Sequence, residues 1–239
     1  MFQIFAGEQR GRADHGWLKS HHTFSFADYY DASRMGFGTL RVINEDRVAP
    51  GAGFGTHPHR DMEIISYVIE GALEHRDSMG NGSVIRPGEI QHMRAGTGVT
   101  HSEFNHSHTE SVHLLQIWIL PERRGLEPRY AQRSIDEARR EGAWLLLASP
   151  SGKDGTLSLG TDVEVLTARL SPSLQLSYAV RPGRATWMQV VRGRVAIAGT
   201  QLQAGDAIAV EGEPRLELEG LERAELLLFD LGGPTARPG

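Results

Sequence analysis

Short β-type runs separated by turn residues constrain the fold of this chain more than any other feature. From Val48 onward, glycine and proline interrupt runs of about four to eight residues that are rich in valine, isoleucine and tyrosine, a pattern typical of consecutive strands. Asn81-Gly82 lies between two such runs and predicts a hairpin. No long stretch has helical periodicity, so the sequence predicts an all-β protein.

A charged segment divides the strand-rich sequence into two halves. Prolines and a glycine over residues 121–128 precede Ser134-Ile-Asp-Glu137, a capping box that predicts a short helix to about Arg140. A length of 239 residues accommodates two domains of about 120 residues each. We therefore predict domains at residues 1–133 and 134–239, joined by this short linker helix.

Two glycine-preceded segments carry polar side chains at i, i+2 spacing. His57 and His59 form one pair, and His101 and Glu103 form the other. Residues two apart point to the same face of a β-strand, so each pair can face the interior of a small barrel. Three imidazoles and a carboxylate then suit a divalent transition metal with coordination positions left open. Pro58 favours a strand edge or barrel mouth, where a substrate reaches the metal.

The identity of the fourth ligand stays open on spacing alone. Asp61 and Glu63 continue the parity of His57 and His59, so Glu63 competes with Glu103. Glu103 is favoured because no proline separates it from His101. Other histidines are expected in ordinary positions, and the sequence predicts His75 on a strand surface, His92 near a turn, and His21-His22 on a surface arm rather than a lid.

The second half repeats the first in outline but has none of its histidines, since all eleven lie between His15 and His113. Aligning corresponding glycines places other residue types where the first half has candidate ligands. The pattern therefore predicts a duplicated barrel whose second copy has lost its metal. The alignment pairs Gly193 with Gly71 and Gly205 with Gly88, and it places Ala179, Arg181, Leu218 and Gly220 at His57, His59, His101 and Glu103.

Charge, cysteine content and hydropathy exclude several classes of function. A net charge of −5 argues against the basic stripe of a nucleic-acid-binding protein. The chain has no cysteine, so a metal must be held by nitrogen and oxygen. The first residues lack the pattern of a signal peptide, and no apolar run approaches the roughly 20 residues that span a bilayer. We therefore expect a cytoplasmic protein without a direct nucleic-acid or membrane partner.

These motifs resemble those of the cupin superfamily. Gly51-x5-His57-x-His59-x3-Glu63-x7-Gly71 is close to the first cupin motif. More specifically, the chain resembles bacterial pirin-like proteins, densely over residues 20–130 and only in outline beyond them. The matching stretches are residues 22–31, 40–46, 53–64, 74–81, 95–103 and 116–119.

The resemblance implies a bicupin of two β-sandwich barrels packed face to face, with metal only in the N-terminal barrel. Pirin-like proteins take their carboxylate from the His-x-Glu segment, so the implied ligands are His57, His59, His101 and Glu103. Glu63 stands one residue before the usual acidic position of cupins, and we expect it in a pocket wall or behind the ligands. The family implies one divalent ion, Fe(II) first, with copper, zinc, manganese, nickel or cobalt as alternatives.

Quercetin 2,3-dioxygenase activity is the function that the resemblance implies. A small aromatic, flavonol-like substrate would react with O2, its heterocyclic ring would open, and carbon monoxide would be released. Glu103 would act as the catalytic base that accepts the proton of the 3-hydroxyl. The expected pocket walls are Phe54, Met62, Gln116 and Trp118, together with Glu63.

Two other functions stay open for the same site. One is a non-catalytic, metal-binding or redox-sensing protein that regulates a protein partner. The other is an isomerase or a different ring-cleaving enzyme, because a fold does not determine a reaction. In each case the chain is expected to be a monomer.

Overall fold

The computed structural model describes residues 1–232 and confirms the all-β prediction. Three short 3-10 helices interrupt the strands of this part, at Gly7–Gln9, Glu137–Arg140 and Lys153–Gly155. None of the helices among the described residues is long and apolar enough to cross a membrane. The strands of the first half are β1 (Phe2–Phe5), β2 (Gly11–Asp14), β3 (Leu18–His22), β4 (Leu40–Val48), β5 (Gly53–His59), β6 (Glu63–Glu70), β7 (Leu73–Asp77), β8 (Gly82–Ile85), β9 (Glu89–Arg94), β10 (Val99–Asn105), β11 (Val112–Ile119) and β12 (Arg129–Ser134). The strands of the second half are β13 (Leu145–Ser149), β14 (Leu157–Ser158), β15 (Val163–Leu170), β16 (Gln175–Ala179), β17 (Ala185–Arg192), β18 (Arg194–Ile197), β19 (Thr200–Gln203), β20 (Ala207–Glu211), β21 (Arg215–Gly220) and β22 (Ala224–Leu231).

The chain forms two compact units whose boundaries differ from the predicted domains in one respect. The N-terminal unit comprises residues 10–135 and 159–161, and the C-terminal unit comprises residues 1–9, 136–158 and the chain from residue 162. Residues 1–9 belong to the C-terminal unit because β1 pairs antiparallel with β20. This pairing joins segments far apart in sequence, so no local pattern of the first residues predicts it.

The N-terminal unit is a sandwich of two antiparallel sheets. The larger sheet has the strand order β12-β9-β6-β11-β4-β3-β2, and the smaller sheet has the order β5-β10-β7-β8. Apolar side chains of both sheets pack together between them, as expected for aligned sheets. The cluster contains Leu18, Val48, Val68, Val112 and Leu114 from the larger sheet and Leu73 and Ile85 from the smaller one.

The C-terminal unit repeats this arrangement. Its larger sheet has the order β1-β20-β17-β22-β15-β13-β14, and its smaller sheet has the order β16-β21-β18-β19. In strand order, β16, β21 and β18 thus correspond to β5, β10 and β7. The two halves therefore share one topology, which supports the predicted duplication.

The strand pairing corrects the positional alignment of the two halves. Leu218 lies opposite Ile197 as Glu103 lies opposite His75, so Leu218 corresponds to Glu103 and not to His101. Gly205 lies 13 residues before Leu218, whereas Gly88 lies 15 residues before Glu103, and this shorter connection shifted the alignment by two residues.

Apolar side chains occupy the ligand positions of the C-terminal unit. Leu216 and Leu218 correspond to His101 and Glu103, and Tyr178, which lies opposite Leu216, corresponds to His57. Leu216 and Leu218 are buried in the core of the unit, and Tyr178 packs against it. No imidazole or carboxylate from these positions is left to hold an ion.

The predicted linker helix is a single 3-10 turn at Glu137–Arg140. Asp136, not Ser134, is its N-cap and accepts hydrogen bonds from the backbone N–H groups of Ala138 and Arg139. Ser134 instead ends strand β12. The turn ends at Arg140, whose buried guanidinium pairs with Glu225, so tertiary contacts override the local helix signal.

Candidate metal centre

Three imidazoles meet at one point between β5 and β10 of the N-terminal unit. His101 lies opposite His57 across the antiparallel pairing, and their Nε2 atoms are 3.1 Å apart. The ring centroid of His59 is 4.8 Å from each of the other two, and one nitrogen of each ring lies within 4.8 Å of the others. Two nitrogens bound to one ion at about 2.1 Å lie about 3.0–3.4 Å apart. The three rings therefore fit a transition-metal ion.

The strand geometry places these rings with their ligand atoms inward. β5 is an edge strand of the smaller sheet, which accommodates Pro58 without the loss of an internal ladder hydrogen bond. The pairing shifts register between His101 and Glu103, so β5 carries a bulge next to the ligand pair. His57 Nδ1 donates to the carbonyl oxygen of Gly55 at 2.8 Å, which leaves Nε2 as its ligand atom.

Close packing of β5 on β10 requires a glycine at position 53. A Cβ atom at Gly53 would lie 2.5 Å from Cα of Phe104 and closer still to the carbonyl oxygen of Glu103. A larger residue would separate the two strands that carry the imidazoles. Gly55, in contrast, has nothing within 4 Å of an added Cβ.

The electrostatics keep the imidazoles in the form that binds metal. Burial, followed by the neighbouring His57 and His59, lowers the pKa of His101 to about 3. Burial and His57 lower the pKa of His59 to about 4. Both rings are therefore neutral near pH 7 and offer a lone pair to an ion.

Glu103 lies beside His101 with its carboxylate buried. Ser66 Oγ donates to Oε1 of Glu103 at 3.1 Å, and Gln116 Nε2 donates to Oε2 at 2.6 Å. Burial raises the pKa of Glu103 to about 7, with a smaller contribution from Asp46. The carboxylate groups with His101 and His75 within 4.8 Å, not with all three imidazoles of the centre. It is thus placed to hold a proton next to an ion bound by the histidines.

Four of the expected pocket residues surround the centre. Trp118 packs edge-on against His59 at a centroid distance of 4.9 Å, and Met62 belongs to the same apolar cluster as Trp118. The ring of Phe54 is 6.4 Å from that of His57, and Gln116 bonds Glu103.

Glu63 does not line this pocket, so the expectation for it was wrong. Side chains alternate along β6, and Ser66 faces the centre while Glu63 faces the opposite side. There Glu63 is fully buried and pairs with His92 and with Arg94, the latter at 2.8 Å. His92, expected near a turn, is therefore a buried strand residue that partners this carboxylate.

The segment after β3 covers the aromatic wall of the site. Phe26 packs edge-on against Trp118 at 5.4 Å. His22, expected on a surface arm, is buried, and its Nδ1 donates to Oδ1 of Asn44 at 2.8 Å. The ring of His22 also contacts Phe26 at 5.4 Å. This packing is tertiary, and the sequence carries no local signal for it.

His75 is the functional candidate that the sequence pattern missed. It is fully buried, not on a strand surface, and its ring is 5.3 Å from that of His101. Leu73 and Asp77 share its face of β7, and Leu73 belongs to the core. The alternation Leu73-x-His75-x-Asp77 was therefore the signal that this face points inward.

A solvent-exposed cleft of about 370 Å³ borders the centre through His59. None of the expected pocket walls lines it. Its walls are Pro58, His59, Arg60, Ser78, Gly98, Val99 and Thr100.

Comparisons with known proteins agree with this geometry. Residues 6–119 match the family profile Pirin, and residues 146–231 match the profile described as quercetinase C-terminal cupin domain. The chain is 48% identical to a quercetin 2,3-dioxygenase of Escherichia coli K12, over 97% of this chain and 99% of that protein. It is 40% identical to a pirin-like protein of Caulobacter vibrioides, over 93% of this chain and 96% of that one.

Solved structures show the same fold. The crystal structure of YhhW from Escherichia coli has a TM-score of 0.94 and 46% identity, with 99% of this chain and 100% of that chain covered. The bacterial pirin YhhW in complex with nickel(II) has a TM-score of 0.93 and 45% identity, with 98% and 100% covered. With this identity over nearly its whole length, the chain belongs to the pirin family.

Proposed function

We propose that this protein is a metal-dependent dioxygenase that opens the heterocyclic ring of flavonols such as quercetin with O2 and releases carbon monoxide. The observation that carries the proposal is the convergence of three neutral imidazoles beside a buried carboxylate with a raised pKa. The similarity to proteins named quercetin 2,3-dioxygenase supports the substrate class.

His57, His59 and His101 would hold the ion, and Glu103 would complete the donor set. When bound, the ion supplies Lewis acidity at the substrate hydroxyl and a redox partner for O2. Nitrogen and oxygen donors suit Fe(II), which is our proposed native ion, as well as copper, zinc, manganese, nickel and cobalt. The nickel(II) complex of the Escherichia coli pirin supports an ion of this class.

Glu103 would accept the proton of the substrate's 3-hydroxyl. With a pKa raised to about 7 by burial, the carboxylate is a stronger base than an ordinary glutamate, as general-base catalysis near neutral pH requires. Gln116 and Ser66 hold its two oxygens in place. A proton on Glu103 would then lie within reach of the atoms that react.

The aromatic wall would bind and orient the flat substrate. Trp118 and Phe26 form an edge-on pair next to His59, and aromatic rings of this kind pack well against flavonol rings. On the same side, Ile64, Met93 and Val99 are buried and apolar. These side chains would keep bulk water from the reacting atoms.

Aerobic and anaerobic incubation with quercetin tests the proposal. Protein loaded with Fe(II) or nickel(II) is mixed with quercetin, and loss of the visible absorbance and release of carbon monoxide are followed together. We expect turnover that requires both metal and O2 and releases about one carbon monoxide per quercetin. Negligible turnover at full metal loading, or quercetin loss without carbon monoxide, would overturn the proposal and favour a regulatory role.

A further inference from the structure

We infer that His75 and Asp77 are positioning residues that orient the ring of His101 through a series of hydrogen bonds ending at the β7–β8 turn. The inference rests on His101 being a metal ligand, as in the proposed function, but not on the reaction catalysed. It gives a role to a buried polar pair that the dioxygenase chemistry does not use.

The two nitrogens of His101 have different surroundings. Its Nε2 faces His57 Nε2 at 3.1 Å and is therefore the ligand atom. Its Nδ1 lies 3.5 Å from Nδ1 of His75, which is the partner that the described part of the chain provides for it. A neutral imidazole that binds an ion through Nε2 carries its proton on Nδ1. His101 Nδ1 must therefore donate, and His75 Nδ1 must accept.

The remaining contacts of His75 fix it as that acceptor. Its Nε2 lies 3.2 Å from Oδ2 of Asp77, and an ionised carboxylate can only accept, so the proton of His75 is on Nε2. The lone pair on Nδ1 is then free to accept from His101. Gln91 Nε2 also points to this atom, at 3.3 Å, and an amide N–H is a donor. Every partner of His75 is consistent with one tautomer.

Asp77 is itself held rigidly by the turn that follows it. Asn81 Nδ2 donates to both carboxylate oxygens at 3.1 and 2.9 Å, and the backbone N–H of Asn81 donates to Oδ1 at 3.1 Å. The backbone N–H of Met79 donates to the same oxygen at 2.9 Å. Such donors favour the ionised carboxylate and keep it in the position that His75 requires.

Tyr130 fixes the plane of the His75 ring. The two rings are stacked at a centroid distance of 4.9 Å and an interplanar angle of 27°. The hydroxyl of Tyr130 bonds Ser83 and Gln132, the latter at 3.0 Å. His75 is thus held by a ring contact and by hydrogen bonds at both nitrogens. Partners of this kind orient ligating histidines and raise their affinity for metal.

His92 provides a matched control for a merely structural role. Like His75 it is fully buried in the N-terminal unit and pairs with a carboxylate, that of Glu63, through Nε2. Its Nδ1 has no hydrogen-bond partner. A general cost of replacing a buried, paired histidine would therefore appear equally at His75 and His92. An effect on the metal centre would appear only at His75.

The test compares metal binding by the full chain and three variants. Affinity for cobalt(II) is measured by competition with a chromophoric chelator for the wild type, His75→Phe, His75→Gln and His92→Phe. We expect His75→Phe to weaken binding about 10- to 100-fold. His75→Gln, whose amide oxygen can accept from His101, should recover most of this loss, and His92→Phe should bind like the wild type.

A second readout follows the His101 proton directly. In the cobalt(II)-loaded protein, the Nδ1–H protons of ligating imidazoles give strongly shifted NMR resonances. We expect the Nδ1–H of His101 to exchange slowly with D2O in the wild type and rapidly in His75→Phe. The Nδ1–H of His57, bonded to Gly55, should be unchanged and serves as an internal control.

Two results would overturn the inference, and neither requires turnover. The first is a cobalt(II) affinity of folded His75→Phe within about threefold of the wild type. The second is unchanged exchange of the His101 proton. If His75→Phe does not fold, Asp77→Asn and His75→Gln carry the exchange measurement. Unchanged exchange in Asp77→Asn, which keeps the ring but removes the charge, then contradicts the inference. Since no flavonol or O2 is used, the dioxygenase proposal stands or fails separately.

Discussion

His57 and His101 face each other across the β5–β10 pairing, with their Nε2 atoms 3.1 Å apart. This pairing joins the two ligand segments, which are more than 40 residues apart in the chain. The three-imidazole centre therefore depends on the register of two strands as much as on the identity of its side chains.

Replacement of His101 should abolish tight metal binding. His101→Ala removes the ring that bonds both the ion and His75, so we expect at least a 100-fold loss of nickel(II) affinity, measured by competition with a chelator. His106→Ala is the control, because His106 is exposed and pairs with Glu74. Equal affinity of the two variants would contradict the assignment of the centre.

Replacement of Glu103 by its amide should separate catalysis from metal binding. Glu103→Gln has nearly the same shape but cannot accept a proton at neutral pH, so we expect kcat with quercetin to fall about 10²- to 10⁴-fold. The histidines should still retain the ion, which metal analysis of the purified variant checks. Glu63→Gln alters a buried carboxylate on the other face of β6 and should keep its kcat. Full turnover by Glu103→Gln would exclude the base role.

A methyl group at Gly53 should disturb the centre through the backbone. Gly53→Ala forces a Cβ against Glu103 and Phe104, and overpacking of this kind costs about 1–3 kcal/mol of unfolding free energy. We expect a lower Tm and weaker metal binding, measured by thermal unfolding and metal titration. Gly55→Ala, which meets nothing within 4 Å, should change neither quantity. A normal Tm for Gly53→Ala would show that the strands separate without cost.

Stability at acid pH should depend on Glu45. Burial alone would raise the pKa of Glu45, but the hydrogen bond from His113 and the charge of Arg10 lower it from 4.5 to about 2. Because the folded pKa is the lower one, this carboxylate stabilises the fold above about pH 4.5, and the contribution disappears as the pH falls towards 2. It is on the order of 2–3 kcal/mol. Urea unfolding of the wild type and Glu45→Gln between pH 6 and pH 2 checks this, and the difference should shrink as the pH falls.

The ligand histidines were predictable because their signals are local. Strand period places His57 with His59, and His101 with Glu103, on single faces, and the chemistry of imidazole does the rest. The side of β6 on which Glu63 lies was not predictable from its spacing to His59. Asp61 between them adopts a positive φ of 50°, and the chain turns there instead of continuing one strand.

Long-range pairing explains the other errors. His75 becomes a neighbour of Glu103 only because β7 pairs with β10, and no local motif encodes that pairing. The ligand positions of the C-terminal unit were misplaced because the connection between β20 and β21 is shorter than its counterpart. In both cases, the strand pattern predicts which elements form but not which residues lie side by side.

The placement of β1 in the C-terminal unit has a consequence for synthesis on the ribosome. The N-terminal amine of Met1 donates to the carbonyl oxygen of Glu211, 210 positions along the chain. The first strand to leave the exit tunnel must therefore wait for β20, while residues 10–135 can already fold. Loop closure over this distance is slow, so nascent chains should acquire the histidine centre before β1 finds its sheet.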